Sequence, residues 1–244
     1  MTDAHCHVSC GDPTVREFLI GRDFLGIHPW EAGALDPEDA RRKTEDLRAR
    51  LASSVSSPVV AFPGVGEIGL DRLRERNVSP QMRDVFETQL KLALEFHRPV
   101  VLHGAKCWGQ VVGTIRRLFP VPCSLFPVPC SLFPVPSSLF PVPSFLFHGF
   151  SRSDGLIPDI VALNGYMSVG PAILNDHAVN YRELAKKIPL DRLLVETDRT
   201  EESAATCPPI GEVAAKLAEI RGVSRAELET IIDRNAERFL GSLL

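Results

Sequence analysis

No cysteine pair in the 244 residues follows the C-x-x-C spacing, although six cysteines are present (Cys6, Cys10, Cys107, Cys123, Cys130 and Cys207). A zinc ribbon or a thioredoxin-type redox motif is therefore excluded, and free thiols in a reducing compartment are expected. The chain lacks an apolar run long enough to span a bilayer. Charged Asp3 and His5 follow the first residue almost at once, which does not suit a secretory leader. A cytoplasmic protein with no membrane association and no stable partner is the expectation. An excess of positive charge is missing too: the formal net charge is −4, which argues against a dedicated nucleic-acid-binding module. A nucleic-acid substrate is not excluded, because bound divalent cations reverse the local charge. Finally, there is no G-x-S-x-G elbow, P-loop or G-x-G-x-x-G turn.

What is present is an alternation. Short β-type runs at Met1–His7, Asp23–His28, Val59–Glu67, Pro99–His103, Phe145–His148, Gly165–Ser168 and Arg192–Thr197 are separated by amphipathic stretches. Among these are Pro37–Leu51, Pro80–Phe96, Arg182–Ile188, Ile210–Ile220 and Ala226–Arg234. Ser79 before Pro80 has the chemistry of an N-cap followed by a first-turn proline. Strands alternating with helices predict a parallel α/β sheet. Seven strands are legible and an eighth is not. An open doubly wound sheet and a TIM-type (β/α) barrel, distorted or regular, both fit the alternation. The barrel is favoured by how the strands end: His7, His28, Glu67, His103, His148 and Asp198 close six of the seven runs. Only a closed barrel brings all such ends to one mouth.

One stretch breaks the pattern. From Leu118 a Leu-Phe-Pro-Val-Pro-Cys/Ser-Ser unit recurs every seven residues, restarting at Leu125, Leu132 and Leu139. Two prolines per unit exclude a helix and a central strand. The 1–244 chain is thus expected to be a single barrel domain carrying a tandem insertion at 118–144 in one helix-to-strand loop. That insertion is expected to be irregular, tolerated, and on the face away from the mouth. The alternative is a proline-rich docking motif for an aromatic groove.

Asp3-Ala4-His5-Cys6-His7 is the strongest local signal. Residues two apart on a strand share a face, so His5 and His7 present two imidazoles to one point. Asp3 lies on the same side and could orient a ring. Glu67 follows an apolar run and has two oxygens with which to bridge two cations. His103 and His148 each end an apolar strand, and Asp198 supplies a late carboxylate. Glu196 is read either as support for a ligand or as an ion pair inside the barrel. Asp71 reads as a loop or capping residue. His28 and Trp30, in Gly-Ile-His-Pro-Trp, are read as lining a substrate cleft, or as a turn fixed by Pro29.

The motifs Asp3-Ala-His5-Cys-His7, Gly26-Ile-His28-Pro-Trp30, Gly66-Glu67-Ile-Gly-Leu-Asp71, Pro99-Val-Val-Leu-His103, His148-Gly-Phe-Ser151, Glu196-Thr-Asp198 and Asn235-Ala-Glu-Arg-Phe-Leu-Gly241 occur in one order. Together they resemble the TatD-type metal-dependent hydrolases, amidohydrolase-like barrels that include deoxyribonucleases. The resemblance implies two divalent ions (Mg²⁺, Mn²⁺ or Zn²⁺). One would be held by His5, His7 and Asp198, the other by His103 and His148, with Glu67 bridging. It implies hydrolysis of a phosphodiester in DNA or a smaller molecule, with Asp198 and Glu67 catalytic and Asp198 taking the proton of the attacking water. The chain departs from the family pattern after His103, where Gly104-Ala105-Lys106 follow, and after Asp198, where Arg199-Thr200-Glu201 follow. Lys106 and Arg199 are accordingly candidates for holding a substrate phosphate. A barrel hydrolase of amides or esters, or a non-catalytic scaffold, are the competing expectations. Deleting Leu118–Ser138 should leave turnover unchanged; lost turnover in a folded deletion variant would contradict the reading of the repeat as an insertion without a catalytic role.

Overall fold

The computed structural model describes residues 1–56, 64–74, 76–119 and 143–241. Eight short strands run β1 (Thr2–Cys6), β2 (Arg16–Leu19), β3 (Phe24–Leu25), β4 (Gly64–Asp71), β5 (Val100–Ala105), β6 (Phe145–Phe147), β7 (Gly165–Val169) and β8 (Leu193–Val195). β3 to β8 form one parallel sheet in chain order, and β1 pairs with β2, also in parallel. The two sheets meet at both seams through a few backbone contacts. Ile20 bridges to Phe24, and the stretch after β8 meets β1 where Asp198 N donates to His5 O at 3.0 Å and His7 N to Arg199 O at 2.8 Å. The strands therefore follow one another around a ring, as the alternating pattern predicts, with two thin seams.

The helices are α1 (Pro29–Ala34), α2 (Pro37–Ser56), α3 (Pro80–Glu95), α4 (Trp108–Leu118), α5 (Ile157–Ala162), α6 (Val179–Lys187), α7 (Ile210–Arg221) and α8 (Arg225–Leu240). α3 starts as its sequence dictates: Ser79 Oγ accepts from Met82 N at 3.1 Å, and Pro80 occupies the first turn. β1 and β2 are joined by the irregular stretch 7–15 rather than by a crossover helix. The wall there is covered from elsewhere: α8 packs on β1 and β8. Its fully buried Phe239 lies among Phe18, Phe24 and Tyr166, at ring-centroid separations of 6.2, 6.0 and 5.9 Å.

Three expectations change. The strand missing from the sequence reading is Arg16–Leu19, whose Arg-Glu-Phe-Leu run is too short and too charged at its start to show a period. The strand expected at Asp23–His28 shrinks to Phe24–Leu25, because Pro29 starts a helix at once. The strand expected at Val59–Glu67 is shifted: its first part lies outside the described residues, and it runs on past Glu67 to Asp71. Glu67 and His103 thus sit inside their strands, not at the ends. Close approach of β4 and β5 here depends on Gly69, paired with His103; at its φ of +152° a Cβ would lie 2.0 Å from the His103 carbonyl oxygen.

Cys6, Cys10, Cys107 and Cys207 are free thiols. Cys123, Cys130 and nearly all of the repeat lie outside the described residues. Among those described, no helix is long and apolar enough to cross a membrane. Phe239→Ala should lower unfolding free energy by about 3–5 kcal/mol, measured by urea denaturation; a loss near zero would show that α8 does not seal this wall.

Candidate metal centre

Glu67 is the middle of the site. It lies on a strand whose eight residues are all buried, and is itself 3% exposed. Its two oxygens serve different neighbours. Oε1 is 2.5 Å from His103 Nδ1, 2.7 Å from His148 Nε2 and 3.7 Å from His28 Nε2. Oε2 is 3.5 Å from both His5 Nε2 and His7 Nε2. Asp198 Oδ1 closes the second group, 3.5 Å from His5 Nε2 and 3.7 Å from His7 Nε2. The six side chains singled out from the sequence therefore converge. His5 and His148 stack at 4.0 Å, and donor atoms of His5, His148 and Asp198 lie within 4.8 Å of one another.

The electrostatics follow from packing. Burial opposes ionisation of Glu67, but the charge of His148 and the hydrogen bonds from His103, His148 and His28 outweigh it and hold the carboxyl well below its usual range. Burial likewise opposes protonation of His148. Glu67 and Glu196 overcome this and raise His148 well above the ordinary imidazole value. At His7 burial wins, helped by the neighbouring His5, and the pKa falls.

His5 is fully buried, yet neither of its ring nitrogens has a hydrogen-bond partner among the described residues. Burying a polar ring without a partner is costly. A cation between His5, His7, Asp198 and Glu67 would satisfy it, and the mixed imidazole and carboxylate donors suit Mg²⁺, Mn²⁺ or Zn²⁺. The donor set fits a divalent metal.

The carboxylates behind these rings are placed less simply than their sequence positions suggest. Asp71 is more than a cap. Its Oδ1 accepts from Leu73 N at 2.5 Å, as a turn residue would, while Oδ2 accepts from His103 Nε2 and from Trp30 Nε1, both at 2.9 Å. Its burial is overcome by these bonds, and its pKa is lowered. Glu196 is an ion-pair neighbour of His148: it lies 3.8 Å from His148 Nδ1, beyond hydrogen-bond distance, and is itself held by Gly149 N at 2.6 Å and Ser168 Oγ at 2.5 Å. Asp3 does not orient an imidazole. It accepts from Thr197 Oγ1 at 2.6 Å, Thr197 N at 3.0 Å and the His5 backbone N at 3.3 Å, so it ties β1 to the segment carrying Asp198. Burial raises its pKa to about 6.

His28 stands nearer the centre than a cleft-lining role requires: it shares a possible donor group with Glu67 and His103, while its Nδ1 caps α1 through Trp30 N. Trp30 and Lys106 are exposed on the rim. Arg199 contributes its carbonyl to the β1 seam, whereas its guanidinium acts on Glu17, Cys10 and Cys207. The signal for Asp71 was available in the sequence, four residues after Glu67, because residues two and four apart on a strand share its face. It was masked by ending the strand too early.

A model of the TatD related DNase family matches residues 22–241, which include Glu67, His103, His148 and Asp198; His5 and His7 precede the match. The metal-dependent hydrolase YabD of Bacillus subtilis is 26% identical over 235 residues, covering 91% of this chain and 80% of the relative. The 3'-5' ssDNA/RNA exonuclease TatD of Edwardsiella piscicida is 29% identical over 171 residues, covering 69% and 57%. Among solved structures, YJJV, a TatD homolog from Escherichia coli K12, superposes with a TM-score of 0.72 at 22% identity, covering 98% of this chain and 96% of that one. This last similarity establishes the ring as a barrel-type fold.

Asp71→Asn should weaken divalent-metal affinity by about 10- to 100-fold, measured by isothermal titration, because His103 loses its orienting partner. Unchanged affinity would show that His103 needs none.

Proposed function

The chain belongs to the TatD related DNase family, and on that premise we propose that it is a two-metal hydrolase of phosphodiester bonds in single-stranded nucleic acid. The observation that carries this reading is the division of Glu67: one oxygen toward His103 and His148, the other toward His5 and His7. A carboxylate so placed suits a bridge between two cations, one with His5, His7 and Asp198, one with His103 and His148. The naming of a relative as a single-strand exonuclease supports the substrate class.

When bound, two divalent ions activate a water molecule and neutralise charge growing on the phosphoryl oxygens and leaving group. The chain's own groups do the rest. Glu67 keeps its negative charge in a buried site. His103 is held by Asp71, so its ring presents a fixed edge, and Glu196 sets a negative charge 3.8 Å from His148 Nδ1. Asp198, with half of its side chain exposed and only Oδ1 turned to His5 and His7, is placed to take a proton from the attacking water and pass it to solvent. Lys106, exposed immediately after β5, is the cation assigned to a substrate phosphate in this reading.

Hydrolysis of a single-stranded oligonucleotide should appear with at least one of Mg²⁺, Mn²⁺ or Zn²⁺ and fall to background in Glu67→Ala. Failure with every metal, or equal rates in the variant, would contradict the proposal. Carboxylic-ester cleavage without phosphodiester cleavage would move the chain to the ester-hydrolase reading.

A further inference from the structure

The hydrolytic chemistry leaves unexplained an ordered aromatic side chain at the edge of the site. Trp30 is 42% exposed although it is among the largest apolar side chains in the protein. It is nevertheless held on several sides. Its Nε1 donates to Asp71 Oδ2 at 2.9 Å, and its backbone N donates to His28 Nδ1 at 3.2 Å. The His28 ring meets it edge-on at 4.8 Å, and the Arg74 guanidinium lies 3.8 Å from its ring centroid. Asp71 Oδ2 also accepts from His103 Nε2, and His103 Nδ1 meets Glu67 Oε1. An unbroken chain of polar contacts therefore runs from the central carboxylate to an exposed indole and fixes its position relative to the metal ligands.

Cations gather beside it, while the neighbouring Glu31 is paired with Lys43. Arg72, Arg74 and Arg76 are exposed in the turn after β4. Arg72 N donates to Ala105 O at 3.0 Å, which brings this turn beside exposed Lys106 after β5. A chain of net charge −4 thus concentrates four cations along one part of the mouth. An exposed indole with an arginine plane stacked on it suits a flat, electron-rich ring, and the flanking cations suit phosphates.

Resting on the reading of this chain as a nucleic-acid hydrolase, we propose that Trp30 and Arg74 form a stacking platform for an unpaired nucleobase next to the scissile phosphodiester, with Arg72 and Lys106 binding the flanking phosphates. A paired base has both faces covered by its own stack, so the platform selects single strands and frayed ends. Trp30 is a specificity-determining residue in this account, acting on binding of the base and not on bond cleavage.

The test uses the metal-free full chain and its intrinsic fluorescence. Trp108, the other tryptophan, is buried, so quenching by added strand reports Trp30. A short oligothymidylate should quench it and bind about 10- to 100-fold more tightly than an abasic strand of equal length. These variants lack the reporting indole, so their binding is followed by the fluorescence anisotropy of a dye-labelled strand: Trp30→Ala should abolish this preference for bases, and Trp30→Phe, which keeps a ring but loses the bond to Asp71, should retain most of it. Arg74→Ala should reduce it. With metal added, kcat/KM for intact and abasic strands should differ in the native chain and become equal in Trp30→Ala, mainly through KM. Trp30→Ala slowing both strands alike, or keeping the native preference for bases, would overturn the platform. Base-dependent quenching without hydrolysis under any metal would leave the platform standing and sink the hydrolase reading; hydrolysis indifferent to the base would do the reverse.

Discussion

A carboxylate held ionised in the buried interior of a parallel strand is the constraint on which this structure turns. Glu67 cannot be solvated by water where it sits, so it must be compensated by positive charge or by strong donors. Four histidines and the segment after β8 are brought to it from across the chain: His5 and His7 from β1 and its end, His103 from β5, and His148 just after β6. Glu67, His103 and His148 belong to neighbouring strands, but His5 on β1, His7 just after it and Asp198 after β8 could not reach them in an open sheet, where strands far apart in order do not meet. The ring of strands is thus a consequence of the site as much as its scaffold. At the seam between β8 and β1, Asp198 also faces His5 and His7 across the gap.

Behind the six converging side chains lies a further layer of carboxylates. Asp71 holds His103 and Trp30 together, Glu196 sets a charge beside His148 while bonded to Gly149 and Ser168, and Asp3 fastens β1 to Thr197 next to Asp198. Each of these carboxylates uses both oxygens. Among the described residues neither ring nitrogen of buried His5 has a hydrogen-bond partner, and a cation bound beside it would satisfy the ring.

Much of this was legible in the chain itself. Alternating strand and helix signals, with His, Glu or Asp closing one apolar run after another, specify a ring and its mouth, and all six expected donors meet there. The reading stopped short where local signals compete. Pro29 cut the second strand to two residues, and the Arg16–Leu19 strand has no period to read. Glu67 looked like a strand end because nothing in Ile-Gly-Leu-Asp announces that pairing continues; the missing Cβ of Gly69 is what allows it. As a result Asp71 was taken for a turn residue alone. Asp3 shows no partner in the sequence for a different reason: Thr197 is distant along the chain and is brought to it by the fold.

The account stands or falls on where cations bind. A crystal of the protein soaked in Mn²⁺ should show two anomalous-scattering peaks about 3.5–4 Å apart, one beside His5, His7 and Asp198 and one beside His103 and His148, with Glu67 between them. Peaks located elsewhere, or none at this cluster at saturating Mn²⁺, would contradict it.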